Sequence, residues 1–332
     1  MSKILIVLTG GTIGSVRRNN VINVAKNNYL KNFLKSNSEK EIDYRIIQPV
    51  NILSENSMPS DWNEIVQSIK KNWKNDFSGI IITYGTDTLA YAASAFSRYF
   101  FNFNKPIIFV SSNRPLIDKE ASGRSNLISA IKFIDKEKIP GTFVAYKNPN
   151  ENFVSFYLGS DVEQINNYDN KLNSITRSTF CIYDKKFIYT KKNTNTKNIS
   201  FKKFNKDLKF SNKILIIHPY PGINYGYFNL SKNKPKAILH SLYHSGTAST
   251  RNINKEILSL KSFQKICKKK KIPVSLAPII KKKNIYKSLQ VILKSGVKTL
   301  EGVTLENAYA KLSLAFGSFK TKKKIFKFLN EN

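Results

Sequence analysis

Cysteine, histidine and acidic residues are all scarce in this chain of 332 residues, which has two Cys, three His and 22 Asp plus Glu against 55 Lys plus Arg. Cys181 and Cys267 stand alone, with no second cysteine or histidine at metal-ligand spacing, so a disulfide framework and a zinc site are not expected. His218, His240 and His244 all fall in the C-terminal half. His240 and His244 are four apart but lie beside a Gly-containing turn, which reads as structural rather than as a ligand pair on a helix face. No apolar run reaches the ~18 residues that cross a bilayer. The apolar stretch at 4–8 is too short for a secretory core segment and runs into a glycine motif instead of a cleavage site, so a cytoplasmic location is expected.

The shortage of acid leaves a formal net charge of +33, which invites a nucleic-acid reading. The excess is nearly all lysine, dispersed among asparagines and isoleucines, as in a chain from a genome poor in G and C. Clusters at 268–271, 281–283 and 322–324 lack the interleaved aromatics and arginines of a base-stacking groove. Non-specific, salt-sensitive adhesion to polyanions is expected all the same.

What the chain does have is length and composition for a large core: 41% hydrophobic and 12% aromatic residues. Single cores stop growing near roughly 250–300 residues, so two domains are expected. Short β-branched or aliphatic runs at 4–8, 80–83, 106–111 and 142–146 read as buried parallel strands. Between them, Trp62, Ile65, Val66, Ile69 and Trp73 recur at helical spacing behind Pro59 and an Asp61-x-x-Glu64 capping pattern. Leu89, Ala93, Phe96 and Phe100 do the same. The polar, lysine- and asparagine-rich stretch 191–212 has no clean period and reads as a linker. Beyond it, strands are expected at 213–217, 236–239 and 273–276, and a helix at 308–316. The expectation is an α/β protein: a larger N-terminal domain, 1–190, with a mostly parallel sheet flanked by helices, then a smaller C-terminal α/β domain, 213–332.

Two glycine-bracketed threonine motifs follow strand-like runs: Leu8-Thr9-Gly10-Gly11-Thr12-Ile13-Gly14 and Tyr84-Gly85-Thr86-Asp87-Thr88. Hydroxyls at strand ends sit at the carboxyl edge of a parallel sheet, where open α/β folds bind ligands. Thr86 and Thr88 also open a helix, whose free N–H groups favour a carboxylate or a developing oxyanion. The glycines do not give the G-x-G-x-x-G spacing of a dinucleotide site, and no Gly-Lys-Ser/Thr makes a phosphate loop. They suit close backbone approach to a small substrate.

The paired motifs resemble the two signatures of the bacterial-type L-asparaginases, in the same order and at about the same separation. Ser54-Glu55-Asn56, Asn113-Arg114-Pro115, Ala121-Ser122-Gly123 with Asn126-Leu127, Pro219-Tyr220-Pro221-Gly222 and Tyr243-His244-Ser245-Gly246-Thr247 extend the resemblance over nearly the whole chain. It implies hydrolysis of the side-chain amide of L-asparagine, in some members L-glutamine, to the acid and ammonia without metal or organic cofactor. It assigns Thr12 as nucleophile, Thr86 as the group that orients water or assists proton transfer, and Asp87 as the partner of the substrate ammonium. Ser54 and Glu55 would bind the amino-acid end, while backbone at Gly11 and Gly85, with Ser112, would line the amide and oxyanion position. Homodimers or homotetramers are implied, with a neighbour's loop closing each site; Thr247 stands where that loop normally carries an asparagine.

Departures accompany the resemblance. The family's lysine beside the second threonine is missing from Gly159-Ser160-Asp161-Val162-Glu163-Gln164-Ile165; Glu163 or Gln164 takes its place, leaving Lys147 or Lys171 to fold back. Tyr84 replaces a histidine, Ser122-Gly123 an Asp-Gly pair, and Tyr29 is the nearest lid tyrosine. Two further readings follow: an asparaginase-fold scaffold that binds an amino acid or polyanion without turnover, and the amidase subunit of a tRNA-dependent amidotransferase. The second is disfavoured by the first motif beginning at Thr9, where that amidase carries an N-terminal extension.

Overall fold

The computed structural model describes residues 2–11, 13, 15–18, 21–24, 32–33, 42–190, 208–251, 256–280 and 283–330. The chain divides into two compact units, Met1–Leu208 and Lys209–Asn332.

The N-terminal unit is built on one eight-stranded sheet. Its strands are β1 (Ser2–Leu8), β4 (Ile42–Ile47), β5 (Gly79–Thr83), β6 (Pro106–Val110), β7 (Gly141–Tyr146), β8 (Val154–Leu158), β9 (Cys181–Asp184) and β10 (Lys186–Tyr189), while β2 (Ser15–Arg18) and β3 (Val21–Val24) form a separate antiparallel pair. The order is β10-β9-β8-β7-β6-β5-β1-β4. From β4 to β7 every neighbouring pair is parallel; from β7 to β10 every pair is antiparallel. Residues 4–8 and 80–82 are wholly buried, as continuous aliphatic strands covered on both faces must be.

Helices supply the cover. On one face Ile4, Ile6, Ile81 and Ile108 join one core with Leu127, Ala130 and Ile131 of a helix spanning Gly123–Lys132. Ahead of it in sequence lie α1 (Pro59–Asn72) and α2 (Leu89–Tyr99), so that helix is α3. Phe109, pointing from β6 to the other side, meets Phe96 of α2 edge-on at 5.3 Å between centroids. α1 buries Trp62, Ile65, Val66 and Ile69, the stripe that its periodicity predicts. Its cap differs from the sequence expectation: Asp61 does not begin the capping pattern but completes it, accepting the Met58 N–H on Oδ2 at 2.7 Å. Pro59 occupies the first turn, where a missing N–H costs nothing.

The C-terminal unit repeats the principle on a smaller scale. A parallel sheet, β11 (Ile214–Ile217), β12 (Ala237–His240), β13 (Val274–Ile279) and β14 (Lys298–Glu301), runs in sequence order. Four helices, α4 (Leu260–Lys269), α5 (Lys287–Leu293), α6 (Leu305–Ser318) and α7 (Lys322–Asn330), follow in sequence. Ile238 and Leu276 pack with Phe263 and Ile292 on one face; Leu239 and Leu300 pack with Leu312, Ile325 and Leu329 on the other. The lysines at 268–269 close α4, where positive charge complements the helix dipole. Among the described residues no helix is long and apolar enough to cross a membrane.

His240 is fully buried in this unit. Its Nδ1 faces the Ser241 carbonyl, which can only accept, so Nδ1 carries the proton and Nε2 accepts from the Tyr225 hydroxyl at 2.8 Å. Burial pushes the ring down to about 4 from 6.5. An unfolded chain therefore binds this proton where the folded one refuses it, and stability falls as pH drops from 6.5 to about 4. The loss should be on the order of 3 kcal/mol. Unfolding free energy measured across that window should flatten in His240→Gln; an equally steep slope in the variant would assign the effect elsewhere.

Candidate active site

In the sheet order, β1 lies between β4 and β5, so the chain leaves β1 to one side and returns on the other. The crevice at such a reversal, beyond the carboxyl ends of the strands, is where open α/β sheets bind ligands. Both threonine motifs emerge there, one after β1 and one after β5.

The first motif is clamped by a neighbouring loop: the Ile52 N–H donates to the Thr9 carbonyl at 3.0 Å and the Gly11 N–H to the Ile52 carbonyl at 2.9 Å. The Thr9 hydroxyl donates to the Thr83 carbonyl at 2.5 Å, joining this loop to the end of β5. Gly11 has φ +71 and lies so near the second motif that a Cβ there would stand 2.6 Å from the Gly85 nitrogen. The two loops therefore meet backbone to backbone. Thr12, Gly14 and Tyr29 lie outside the described residues.

The second motif is held by the Ser54 segment. Ser54 is buried; its Oγ donates to Asp87 Oδ2 at 3.2 Å and accepts the Asp87 N–H at 3.2 Å. Thr88 Oγ1 donates to the Ser54 carbonyl at 2.8 Å. A Cβ on Gly85 would fall 2.4 Å from Ser54 Oγ, so the absence of a side chain there is what lets the two segments close. Thr86 is half-buried and Asp87 exposed; among the described residues the Thr86 hydroxyl has no hydrogen-bond partner. Beneath them Tyr84 is buried, with its hydroxyl 2.5 Å from Ser57 Oγ and accepting from Trp62 Nε1 at 3.0 Å. Burial raises its pKa, so at neutral pH it is an uncharged hydrogen-bonding strut.

Thr86 and Asp87 open onto a cavity of about 340 Å³ whose wall includes Asn113, Arg114, Tyr146 and Gln164. Its size suits a small ligand. Arg114 Nη1 is committed to Glu120 at 2.6 Å and Asp118 at 3.5 Å. Of Glu163 and Gln164, it is Gln164 that reaches the second motif: its Nε2 donates to the Asp87 carbonyl, whereas Glu163 pairs with Arg177 at 3.3 Å. Neither Lys147 nor Lys171 lines this cavity; Lys147 borders an adjoining recess with Ser122 and Arg124, across the shared wall of Asn113 and Tyr146.

Of the residues singled out from sequence, the fold brings together Gly11, Gly85, Ser54, Thr86 and Asp87. Glu55 is exposed on the short turn Ser54–Asn56. Ser112 is buried with its hydroxyl occupied, donating to the Arg114 carbonyl at 2.5 Å and accepting the Gly123 N–H at 3.0 Å. Tyr146 and the asparagines at 166, 167 and 170 on the cavity wall were not anticipated; a run of asparagines in a lysine- and asparagine-rich chain carries no local signal.

Residues 3–184 match the family described as asparaginase, N-terminal. L-asparaginase 1 of Escherichia coli strain K12 is 33% identical over 133 residues, a stretch covering 39% of this chain and 39% of that protein. The aligned stretch is thus about two fifths of that relative's length. A glutamyl-tRNA(Gln) amidotransferase subunit of Methanobrevibacter smithii is 25% identical over 345 residues, covering 99% of this chain and 75% of its own length. Among solved structures, the thermostable L-asparaginase from Thermococcus kodakarensis superposes with a TM-score of 0.78 at 22% identity, covering 99% of this chain and 97% of the other; at that identity the likeness concerns the fold.

Proposed function

We infer, from the premise that this chain belongs to the asparaginase family, that it is an amidohydrolase releasing ammonia from the side-chain amide of L-asparagine. The observation that supports this reading most is the approach of Gly11 to Gly85. Thr12 follows Gly11 and Thr86 follows Gly85 in the sequence, which supports both threonines acting on one substrate. Thr12 attacks the carboxamide carbon, ammonia leaves, and water oriented by Thr86 hydrolyses the acyl-enzyme. The exposed Asp87 carboxylate holds the substrate ammonium, with Ser54 fixing its orientation. Backbone N–H groups of the two loops receive the developing oxyanion. A threonine hydroxyl needs a base or cation to become nucleophilic, and Gln164, a neutral amide, supplies neither. Turnover is accordingly slow.

The test is ammonia release from L-asparagine, with L-glutamine in parallel, by the purified protein and by Thr12→Ala and Thr86→Val. The wild type should turn over asparagine and both variants less. Equal rates in all three would overturn the reading. Aspartate binding by calorimetry without any hydrolysis would make the chain a scaffold. A homodimer or homotetramer is the expected assembly, checked by light scattering.

A second reading rests on the amidotransferase relatives, one of which aligns along 99% of the chain. It requires a further protein or tRNA to co-purify at physiological salt and to stimulate hydrolysis. Salt-sensitive tRNA binding alone does not count, because a net charge of +33 produces it without specificity.

A further inference from the structure

We propose that the C-terminal unit carries a binding pocket for a small amphipathic anion, an apolar body ended by a carboxylate or phosphate. The pocket is a cavity of about 570 Å³ lined wholly by this unit, within the range of small-molecule sites. It lies at the amino-terminal end of the sheet, under Lys236 before β12, Pro273 before β13 and Lys298 at the start of β14. That is the edge opposite the one where α/β sheets ordinarily bind ligands, and its residues play no part in the chemistry proposed above.

Two features coincide there. The floor is apolar, made by Phe316, Phe319, Phe326, Ile272 and Ile325. Around it stand Lys236, Lys268, Lys271, Lys298, Lys320 and Lys322, with no acidic side chain on the wall. Among the described residues none of these lysines makes an ion pair. Two are tethered by neutral acceptors: Lys236 Nζ donates to the Phe316 carbonyl at 2.7 Å, and Lys298 Nζ donates to Asn330 while lying 5.6 Å from the Phe326 ring centroid. Partial burial lowers the pKa of Lys298, because taking an ammonium out of water disfavours its charged form.

Charge complementarity selects an anion and the floor selects its body. A nucleic-acid strand would use lysines anywhere on this surface and would gain nothing from a recessed apolar floor without a stacking platform. A ligand satisfying both features needs its charge and its apolar part in one small molecule.

The experiment uses the full chain and 8-anilinonaphthalene-1-sulfonate as fluorescent probe at fixed ionic strength, with competitors added. Dodecanoate and dodecyl phosphate should displace the probe, and their relative strength identifies the preferred head group. Dodecanol and inorganic phosphate, each holding half of the chemistry, should be at least about tenfold weaker. Lys271→Glu with Lys322→Glu, both exposed positions, should weaken dodecanoate at least about tenfold. So should Phe326→Ser, at a ring already 41% exposed. Lys74→Glu with Lys186→Glu, on the other unit, should leave binding unchanged, and melting curves should show every variant folded. The proposal is overturned if dodecanoate fails to displace the probe, or if dodecanol matches it. It also falls if the distant lysine pair weakens binding equally, if only anionic vesicles and not free dodecanoate bind, or if the pocket variants instead abolish self-association. None of these outcomes depends on amide hydrolysis.

Discussion

Gly11→Ala should lower stability by about 3 kcal/mol and amide hydrolysis by about 100-fold or more. Two penalties combine. At φ +71 an L side chain sits in the left-handed region, which costs about 1–2 kcal/mol. The added Cβ then meets the Gly85 nitrogen at 2.6 Å and its Cα at 2.8 Å, atoms of a backbone already pinned by Ser54 and unable to rotate away. Relief requires the two motifs to separate, and a displacement near 1 Å costs about 100-fold where two groups must address one carbon. Gly222 separates the two penalties. It has φ +80 but nothing within 4 Å of an added Cβ, so Gly222→Ala should lose only about 1–2 kcal/mol and keep full activity. Urea unfolding and an ammonia assay on both variants decide the matter. If Gly11→Ala matches Gly222→Ala in both, the loops do not constrain one another and the proposed site loses its basis.

The reason Gly11 was legible in the sequence is that glycine marks what its neighbours must do. Glycine-threonine pairs after β-branched runs located both loops at strand ends, and the runs at 4–8, 80–83, 106–111 and 142–146 correspond to β1, β5, β6 and β7. Central strands buried on both faces announce themselves as unbroken aliphatic runs. The edge strands β4 and β14 do not. β4, with Asp43, Tyr44 and Arg45 in its middle, alternates between exposed and half-buried positions after Ile42, and β14 opens on a lysine and closes on a glutamate. Their hydrophobic signal is diluted by the solvent they face. α7 was hidden for a related reason: Lys322–Lys324 reads as a charge cluster, while only Ile325 and Leu329, one turn apart, are buried. The choice between Glu163 and Gln164 needed pairing geometry. Val162 bridges Ser174, and the Glu163 N–H donates to the Asn173 carbonyl at 3.0 Å; in extended chain successive side chains point to opposite sides. Glu163 therefore faces Arg177 and Gln164 faces Asp87, a distinction no composition or spacing rule carries.

Gln164→Lys should raise kcat for asparagine by about 100-fold, the lower end of what a positioned proton-transfer group contributes. The side chain at 164 already reaches the backbone of Asp87 and shares a cavity wall with Thr86 and Asp87, and lysine is one atom longer, so its nitrogen should extend further into that cavity. A neutral amide cannot take up the hydroxyl proton or balance the charge left behind; an amine can do the first and an ammonium the second. The gain belongs to the chemical step, because a new cation beside Asp87 competes with the substrate ammonium for the same carboxylate and should leave KM unchanged or raised. A titratable group also brings a pH dependence: the variant's kcat profile should acquire a limb that the wild type lacks. Glu163→Lys is the matched control, placing the same residue next door but beside Arg177, 3.3 Å from the present carboxylate, where it should give no increase. A folded Gln164→Lys protein with unchanged kcat, or an equal gain from Glu163→Lys, would show that position 164 does not stand where proton transfer is needed.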